Sequence, residues 1–170
     1  VIAQFEAAIK HSSDLATLRQ AKLLGFSDAA IAALQGKTAA VVRQQRLAAG
    51  IVPVVKQIDT LAGEFVASTN YLYLTYHGVT HDVAASSPAA IILLGSGPYA
   101  IGSSVEFDWC AVNAARALRD LGKLTIIINS NPETVSTDYD SSDRLYFEQL
   151  TLERVQDIAD FEGAIGIVVA

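Results

Sequence analysis

The stretch Ile91–Cys110, IILLGSGPYAIGSSVEFDWC, decides the fold. It opens on four apolar residues, Ile91 to Leu94, the length of a buried parallel strand. A glycine loop follows, Gly95-Ser96-Gly97-Pro98, with Gly102 further on. Then comes a helix start. Ser103 with Glu106 three residues later forms a capping box, in which each side chain takes an otherwise unpaired backbone N–H. Strand, glycine turn and helix N-terminus make the unit on which α/β proteins hold anions, because free N–H groups and the helix dipole converge there.

Downstream, the pattern continues as one sheet. The helix expected over 103–121 ends at Gly122, a C-cap residue. A strand follows from Leu124 to Ile128, then the polar loop NSNPETVSTDYDSSD, then a short strand around Leu145 to Phe147. Thr151 caps a helix over 151–161, and Ile165 to Val169 reads as a last strand. This order predicts an α/β fold with a parallel or mostly parallel sheet, layered by helices.

Upstream, the chain reads differently. AASSPA, Ala84 to Ala89, is small-residue sequence with Pro88, and marks the best domain boundary. Tyr71 to Tyr76, YLYLTY, is aromatic and β-prone, so a strand is expected, with a second short one over Val79 to Val83 after His77-Gly78. Ile51 to Ile58 is apolar, with Pro53 placed for a first helical turn and Lys56 and Asp59 facing outward. Residues 1–50 read as short helices. Leu15, Leu18, Ala21 and Lys22 form a stripe ended by Gly25. Ser27-Asp28 opens AAIAALQ, ended by Gly36. Thr38 caps AAVVRQQRLAA, ended by Gly50. Helix, turn, helix suggests a DNA-binding module with Arg43 and Arg46 toward bases. The plainer alternative is a helical packing module whose arginines are solvated or pair with carboxylates.

Composition narrows the class. The chain has 170 residues, is 51% hydrophobic and 18% charged, and contains no low-complexity tract, which argues against disorder. One domain or two small ones fit this length. No apolar run nears the ~20 residues of a membrane span. There is neither a signal peptide nor a methionine anywhere, which suggests a fragment or processed piece. The single cysteine, Cys110, precludes an internal disulfide and fits a reducing compartment. The net charge of −6 divides unevenly: residues 1–60 carry +3 and residues 61–170 carry −9. The acidic half argues against non-specific nucleic-acid binding there.

Few residues carry chemistry by pattern. Gly95-x-Gly97-x-x-Ala100 meets the dinucleotide fingerprint in its Ala-ending form. The second strand, however, ends in Ile128-Asn129-Ser130-Asn131, without the acid that grips a ribose. A glycine turn that simply lets strand and helix pack closely is the plainer reading. Glu133, Asp138, Asp140, Asp143 and Glu148 crowd the region after strand 124–128. Glu106 and Glu133 each follow a strand end, where α/β sheets bind ligands, so the two would face one crevice. A pair of acids there suits acid–base work or magnesium. The alternatives are the capping box for Glu106 and a solvated loop for the aspartates. His77 and His81 lack a third ligand at metal spacing. Cys110, beside Trp109, Ala111 and Val112, reads as a small core residue. No Ser-His-Asp arrangement or phosphate-binding G-x-x-x-x-G-K-[ST] motif is present.

The wording of longer segments adds a resemblance. GSGPYAIGSSVEFDWCAV, INSNPETVSTDYDSSDRLYFEQLTLERVQDI, AKLLGFSDAAIAAL, VVKQIDTLAGEF and TNYLYLTYHGVTHDV together resemble the large chain of carbamoyl phosphate synthetase, over nearly all of residues 15–170. EFDWC and NYLYLTY look like its eukaryotic branch.

The resemblance implies that residues 1–85 are the end of a helical oligomerisation domain with exit strands. Residues 86–170 would be the Rossmann-like pre-ATP-grasp domain of the second synthetase half, truncated at its C-terminus. In the family that half phosphorylates carbamate with MgATP, while the first half activates bicarbonate, and ammonia usually comes from glutamine. The nucleotide domain would begin after Ala170, so this segment alone is expected to hold no cofactor, metal or catalytic residue and to be inactive. The implied partners are the remaining large-chain domains, a glutamine amidotransferase chain or domain, and further copies in a homo-oligomer, with neither nucleic acid nor membrane. The implied location is cytoplasm or mitochondrial matrix. Ser104, Glu106 and Glu133 match motifs lining the internal carbamate passage. Ala100 stands where the family usually carries a basic or larger polar residue. The resemblance leaves two alternatives standing: an independent nucleotide-binding protein and the helix-turn-helix module.

Overall fold

A computed structural model of the chain describes residues 2–12, 14–86, 89–95, 97 and 105–169, with side chains for all of these except 2 and 105–107. The chain divides into two compact units, one of residues 1–54 with 76–78, the other of 55–75 with 79–170.

Among the described residues the first unit holds four helices: α1 (Ile2–His11), α2 (Leu15–Leu23), α3 (Asp28–Gln35) and α4 (Ala39–Ala48). Side-chain oxygens start three of them. Asp14 accepts from Thr17 N at 2.7 Å, Ser27 from Ala30 N at 3.1 Å, and Thr38 from Val41 N at 3.4 Å. Each takes up one N–H that the helix leaves unpaired. Gly36 ends α3 at φ 65°, a left-handed turn that favours glycine. The helices bury Ile9, Leu18, Ala21, Ile31, Ala32, Val42 and Ile51 against one another.

A charged trio is buried in the same unit. Arg46 Nε donates to Asp28 Oδ2 at 2.8 Å and Oδ1 at 3.1 Å. Lys22 Nζ reaches Asp28 Oδ1 at 3.0 Å. Arg46 is 0% exposed. This overturns the helix-turn-helix expectation at that residue, because a fully buried guanidinium spent on an aspartate cannot face bases.

The second unit is built on a six-stranded sheet. The strands are β1 (Val54–Gln57), β2 (Tyr71–Thr75), β3 (Ala90–Leu94), β4 (Leu124–Ile128), β5 (Arg144–Tyr146) and β6 (Gly166–Val169), in the order β1-β2-β5-β4-β3-β6. The β2/β5, β5/β4, β4/β3 and β3/β6 pairs are parallel. Among the described residues its α-helices are α5 (Val105–Asp120) and α6 (Leu152–Glu162). Successive strand residues face opposite sides. Leu93, Ile127 and Leu145 meet Ala115 of α5, while Ile92, Ile126, Ile128 and Tyr146 meet Val155 and Ile158 of α6. Both faces are therefore covered, which explains the runs of apolar residues in β3 and β4. The chain steps from β3 to β4 in one direction and returns through α6 to β6 on the other flank of β3. Right-handed crossovers in opposite directions put their helices on opposite faces.

The predicted helical–sheet order is present, and two local expectations change. Residues Val54–Gln57 form β1 rather than a helix led by Pro53. Lys56, on this strand, forms a partly exposed ion pair with Asp82 at 2.7 Å. Residues 79–83 form bends, not a strand. They attach to β1 largely through side chains: Val55 N donates to His81 Nδ1 at 3.1 Å and Gln57 N to Asp82 Oδ2 at 3.1 Å. β1 and β2 belong to the same sheet as β3 to β6. Ala84 and Ser86, within the expected linker, are held to that sheet. The fully buried Glu162 accepts from Ser86 N at 2.9 Å, from Arg144 Nη1 at 2.7 and 2.8 Å, and from the Tyr146 hydroxyl. Arg144 Nη2 donates to Ala84 O at 2.9 Å. Burial, and the carboxylate of Glu162, raise the Tyr146 phenol far above its usual range.

Candidate functional site

The carboxyl ends of β3 and β4 carry the site. β3 runs out into Gly95, whose place is set by Asn129 at the end of β4. A β-carbon at Gly95 would lie 2.6 Å from Asn129 Nδ2 and 2.7 Å from its Cγ. Real β-carbons do not approach so closely, so only glycine fits. This favours the plainer reading of the glycine loop, close packing of backbone on a side chain. Gly97 turns at φ 69°, while Gly102 and Ala100 lie outside the described residues.

From Asn129 the loop is tied by buried polar side chains. Asn129 Oδ1 accepts from Asn131 N at 3.1 Å, and Asn131 Oδ1 accepts from Glu133 N at 2.9 Å. These are two successive Asx turns. Asn129 Nδ2 donates to Ser136 Oγ at 3.1 Å. From the other side, Asp108 Oδ2 in α5 accepts from Ser136 N at 3.0 Å. A short 3-10 helix, Val135–Thr137, closes the loop. Thr137 Oγ1 donates to Thr134 O at 2.7 Å and takes Thr134 N at 3.3 Å. Asn129, Ser136, Thr137 and Asp108 are all buried, so water does not compete for these bonds. The loop is a fixed platform, and Glu133 is exposed on it.

Glu133 faces an open cleft of about 480 Å³, lined also by Asp108, Trp109, Pro132, Thr134, Val135 and Asp138. Of the predicted passage residues, Glu133 is therefore at a cleft beside the start of α5. Ser104 lies outside the described residues, as does Ser103 of the predicted capping box. Glu106 is in the first turn of α5, and its side chain is outside the described set. Of the other acids after β4, Asp138 lines the same cleft, while Asp143 and Glu148 are engaged elsewhere. Asp143 Oδ2 holds Thr125 N and Oγ1 at 2.8 Å each. Glu148 accepts from Leu74 N at 2.7 Å and faces Arg154 at 3.5 Å. Its burial pushes the carboxyl pKa up, against the pull of Arg154 and the Leu74 N–H. Among the described residues no three His, Cys, Asp or Glu side chains gather to hold a metal ion.

One reading from the sequence is corrected. Cys110 is exposed, not a core residue. Asn129, at the end of β4, points inward to Ser136 and Asn131. One residue was missed. Asp108 shares a helical stripe with Ala111, Val112 and Ala115, all 0% exposed. That spacing is visible in the sequence, and a carboxylate on such a stripe demands a buried partner.

Fold and cleft define a doubly wound α/β unit with a four-helix unit before it. Residues 87–170 match the family model of the carbamoyl phosphate synthase preATP-grasp domain. Residues 1–50 match that of the carbamoyl-phosphate synthetase large chain, oligomerisation domain. The chain belongs to the carbamoyl phosphate synthetase large-chain family. It is 63% identical, over 150 residues and 88% of its length, to the carbamoyl phosphate synthase arginine-specific large chain of Cutaneotrichosporon cutaneum, of which it covers 13%. It is 57% identical over 159 residues to the multifunctional protein ura1 of Schizosaccharomyces pombe, with 94% of this chain and 7% of that one aligned. To the mitochondrial carbamoyl-phosphate synthase (ammonia) of Rattus norvegicus it is 56% identical over 154 residues, 91% of this chain and 10% of that protein. The chain thus spans about a tenth of the length of these eukaryotic relatives.

Proposed function

We propose that the chain works as a segment of an intact carbamoyl phosphate synthetase and walls part of the passage that carries carbamate between its two active sites. Ser104, Glu106 and Glu133 are the wall residues. The observation that carries this reading is Glu133, exposed at a cleft on a loop fixed by buried Asn129, Asn131 and Ser136. A carboxylate so held accepts hydrogen bonds from the amino group of the intermediate. A rigid wall also keeps water from an intermediate that water would destroy. Residues 1–85 supply oligomerisation contacts, and residues 86–170 supply the wall. MgATP binds in domains beyond this segment and supplies the phosphoryl group, so the segment alone turns nothing over. A glutamine amidotransferase chain or domain is the expected partner, in the cytoplasm or the mitochondrial matrix.

Glu133→Leu in the intact synthetase tests this. The variant is expected to lose carbamoyl phosphate formation while bicarbonate-dependent ATP hydrolysis continues. Equal loss of both activities, or loss of neither, contradicts the reading.

A further inference from the structure

One face of α4 is exposed and carries no charge. At 100° per residue, Ala40, Val41, Gln44, Leu47 and Ala48 fall within about 120° of arc. All five are exposed, Val41 at 40% and Leu47 at 39%. The opposite side of the helix holds the buried Val42 and Arg46, and Arg46 is spent on Asp28. A surface helix ordinarily sets charged residues on the face turned from its core. α4 sets alanine, valine, leucine and one glutamine there, which marks a face that another surface covers.

The order of these residues fits a copy of itself. Gln44 stands at the centre of the face. Three residues from it on either side are Val41 and Leu47, and four residues from it are Ala40 and Ala48. In either direction the face runs small, branched, glutamine, branched, small. An isologous pair about a two-fold axis needs such self-complementarity. In an antiparallel pair of α4 helices centred on Gln44, Val41 meets Leu47 of the second copy and Ala40 meets its Ala48. The alanines let the two helices come close. Each Gln44 amide carries both donors and an acceptor, so the two satisfy each other across the axis. Arg43 comes opposite Gln45 of the second copy, so no like charges are opposed.

We propose that this face of α4 is a self-association surface, packing against the same face of a second copy in the intact synthetase. The proposal rests on the reading that residues 1–85 supply oligomerisation contacts, and it names the face and the partner. The match of residues 1–50 to an oligomerisation-domain model supports a second copy as the occupant.

The test is sedimentation velocity of the intact synthetase over a range of concentrations, as wild type and as Leu47→Lys. Lysine is a good helix former and Leu47 lies outside the buried core, so α4 itself should persist. The variant is expected to weaken self-association by about tenfold or more, the effect of losing a central interface side chain. Hydrogen exchange across 15–38 reports whether the helical unit is intact in that variant. Unchanged self-association of an intact Leu47→Lys overturns the proposal and leaves another segment of the large chain as the cover of α4, with the oligomerisation reading still standing. A wild type that stays monomeric at every concentration overturns both. Where the helical unit is disturbed, Gln44→Cys decides. Mild oxidation should link two chains through residue 44, since facing Cα atoms of a close helix pair come within disulfide reach. A 44-to-44 link found by peptide mass spectrometry supports the pairing, and its absence contradicts it.

Discussion

The side chain of Asn129 occupies the space that a β-carbon on Gly95 would need, with Nδ2 2.6 Å from that position. This contact couples the end of β3 to the end of β4, and through Asn131 it fixes the backbone that carries Glu133.

Gly95→Ala is therefore expected to force Asn129 out of place. Overpacking of this kind costs ~1–3 kcal/mol. Hydrogen exchange in peptides covering 124–137 should accelerate accordingly, while α1–α4 keep their protection. Unchanged exchange in 124–137 would show that Asn129 yields without cost.

In the helical unit, Asp28 is the shared partner of two buried cations, Lys22 and Arg46. Asp28→Asn leaves both charges in a dry site without their anion. Breaking a buried ion pair in this way costs ~3–5 kcal/mol. Exchange across residues 15–50 is the measurement, and a change comparable with a surface substitution would contradict the trio's role.

Glu148 gives a pH dependence of known sign. Burial raises its carboxyl pKa above the usual carboxylate range, so the folded state binds its proton more tightly than the unfolded state. Its contribution to stability is greatest below the unfolded pKa. It declines as pH rises through the window between the unfolded and the raised folded value, and is flat above. Glu148→Gln keeps an acceptor for Leu74 N and removes the titration. Denaturation midpoints across this window should fall in the wild type relative to the variant. Parallel profiles would count against it.

Asp82 has the opposite sign. The hydrogen bond from Lys56 holds its carboxyl below the usual aspartate range, as does the Gln57 N–H. Its stabilisation is present above the unfolded pKa and is lost as pH falls through the folded one. In Asp82→Asn, exchange of the Gln57 amide should lose that acid dependence. An Asp82→Asn profile as steep as the wild type's would rule Asp82 out as its source.

Much of the fold is legible in local chemistry. Ser27, Thr38 and Thr151 cap the helices they were expected to cap, and Gly36 and Gly163 end theirs in left-handed turns. The apolar runs of β3 and β4 read as buried parallel strands because both faces are covered. What the sequence hid depends on distant partners. Residues 51–58 form a short apolar run that fits helix or strand equally, and only pairing in the sheet decides. Residues 79–83 look like a strand, but His81 and Asp82 bind β1 with their side chains. Arg46 looks exposed until Asp28, eighteen residues earlier, is seen beside it. At the site, Glu133 was legible as an acid after a strand. The Asn129–Asn131–Ser136 network was not, because its bonds depend on where the loop folds back onto α5. Cys110 misled because it neighbours Ala111 and Val112 in sequence, while the buried stripe runs through 108, 111, 112 and 115.

The most direct test of the central claim is the ratio of ATP hydrolysed to carbamoyl phosphate formed by the intact synthetase carrying Glu133→Gln. If Glu133 walls the passage, intermediate escapes and the ratio rises above the wild-type value while bicarbonate-dependent hydrolysis persists. A ratio equal to that of the wild type, at any overall rate, would contradict the account.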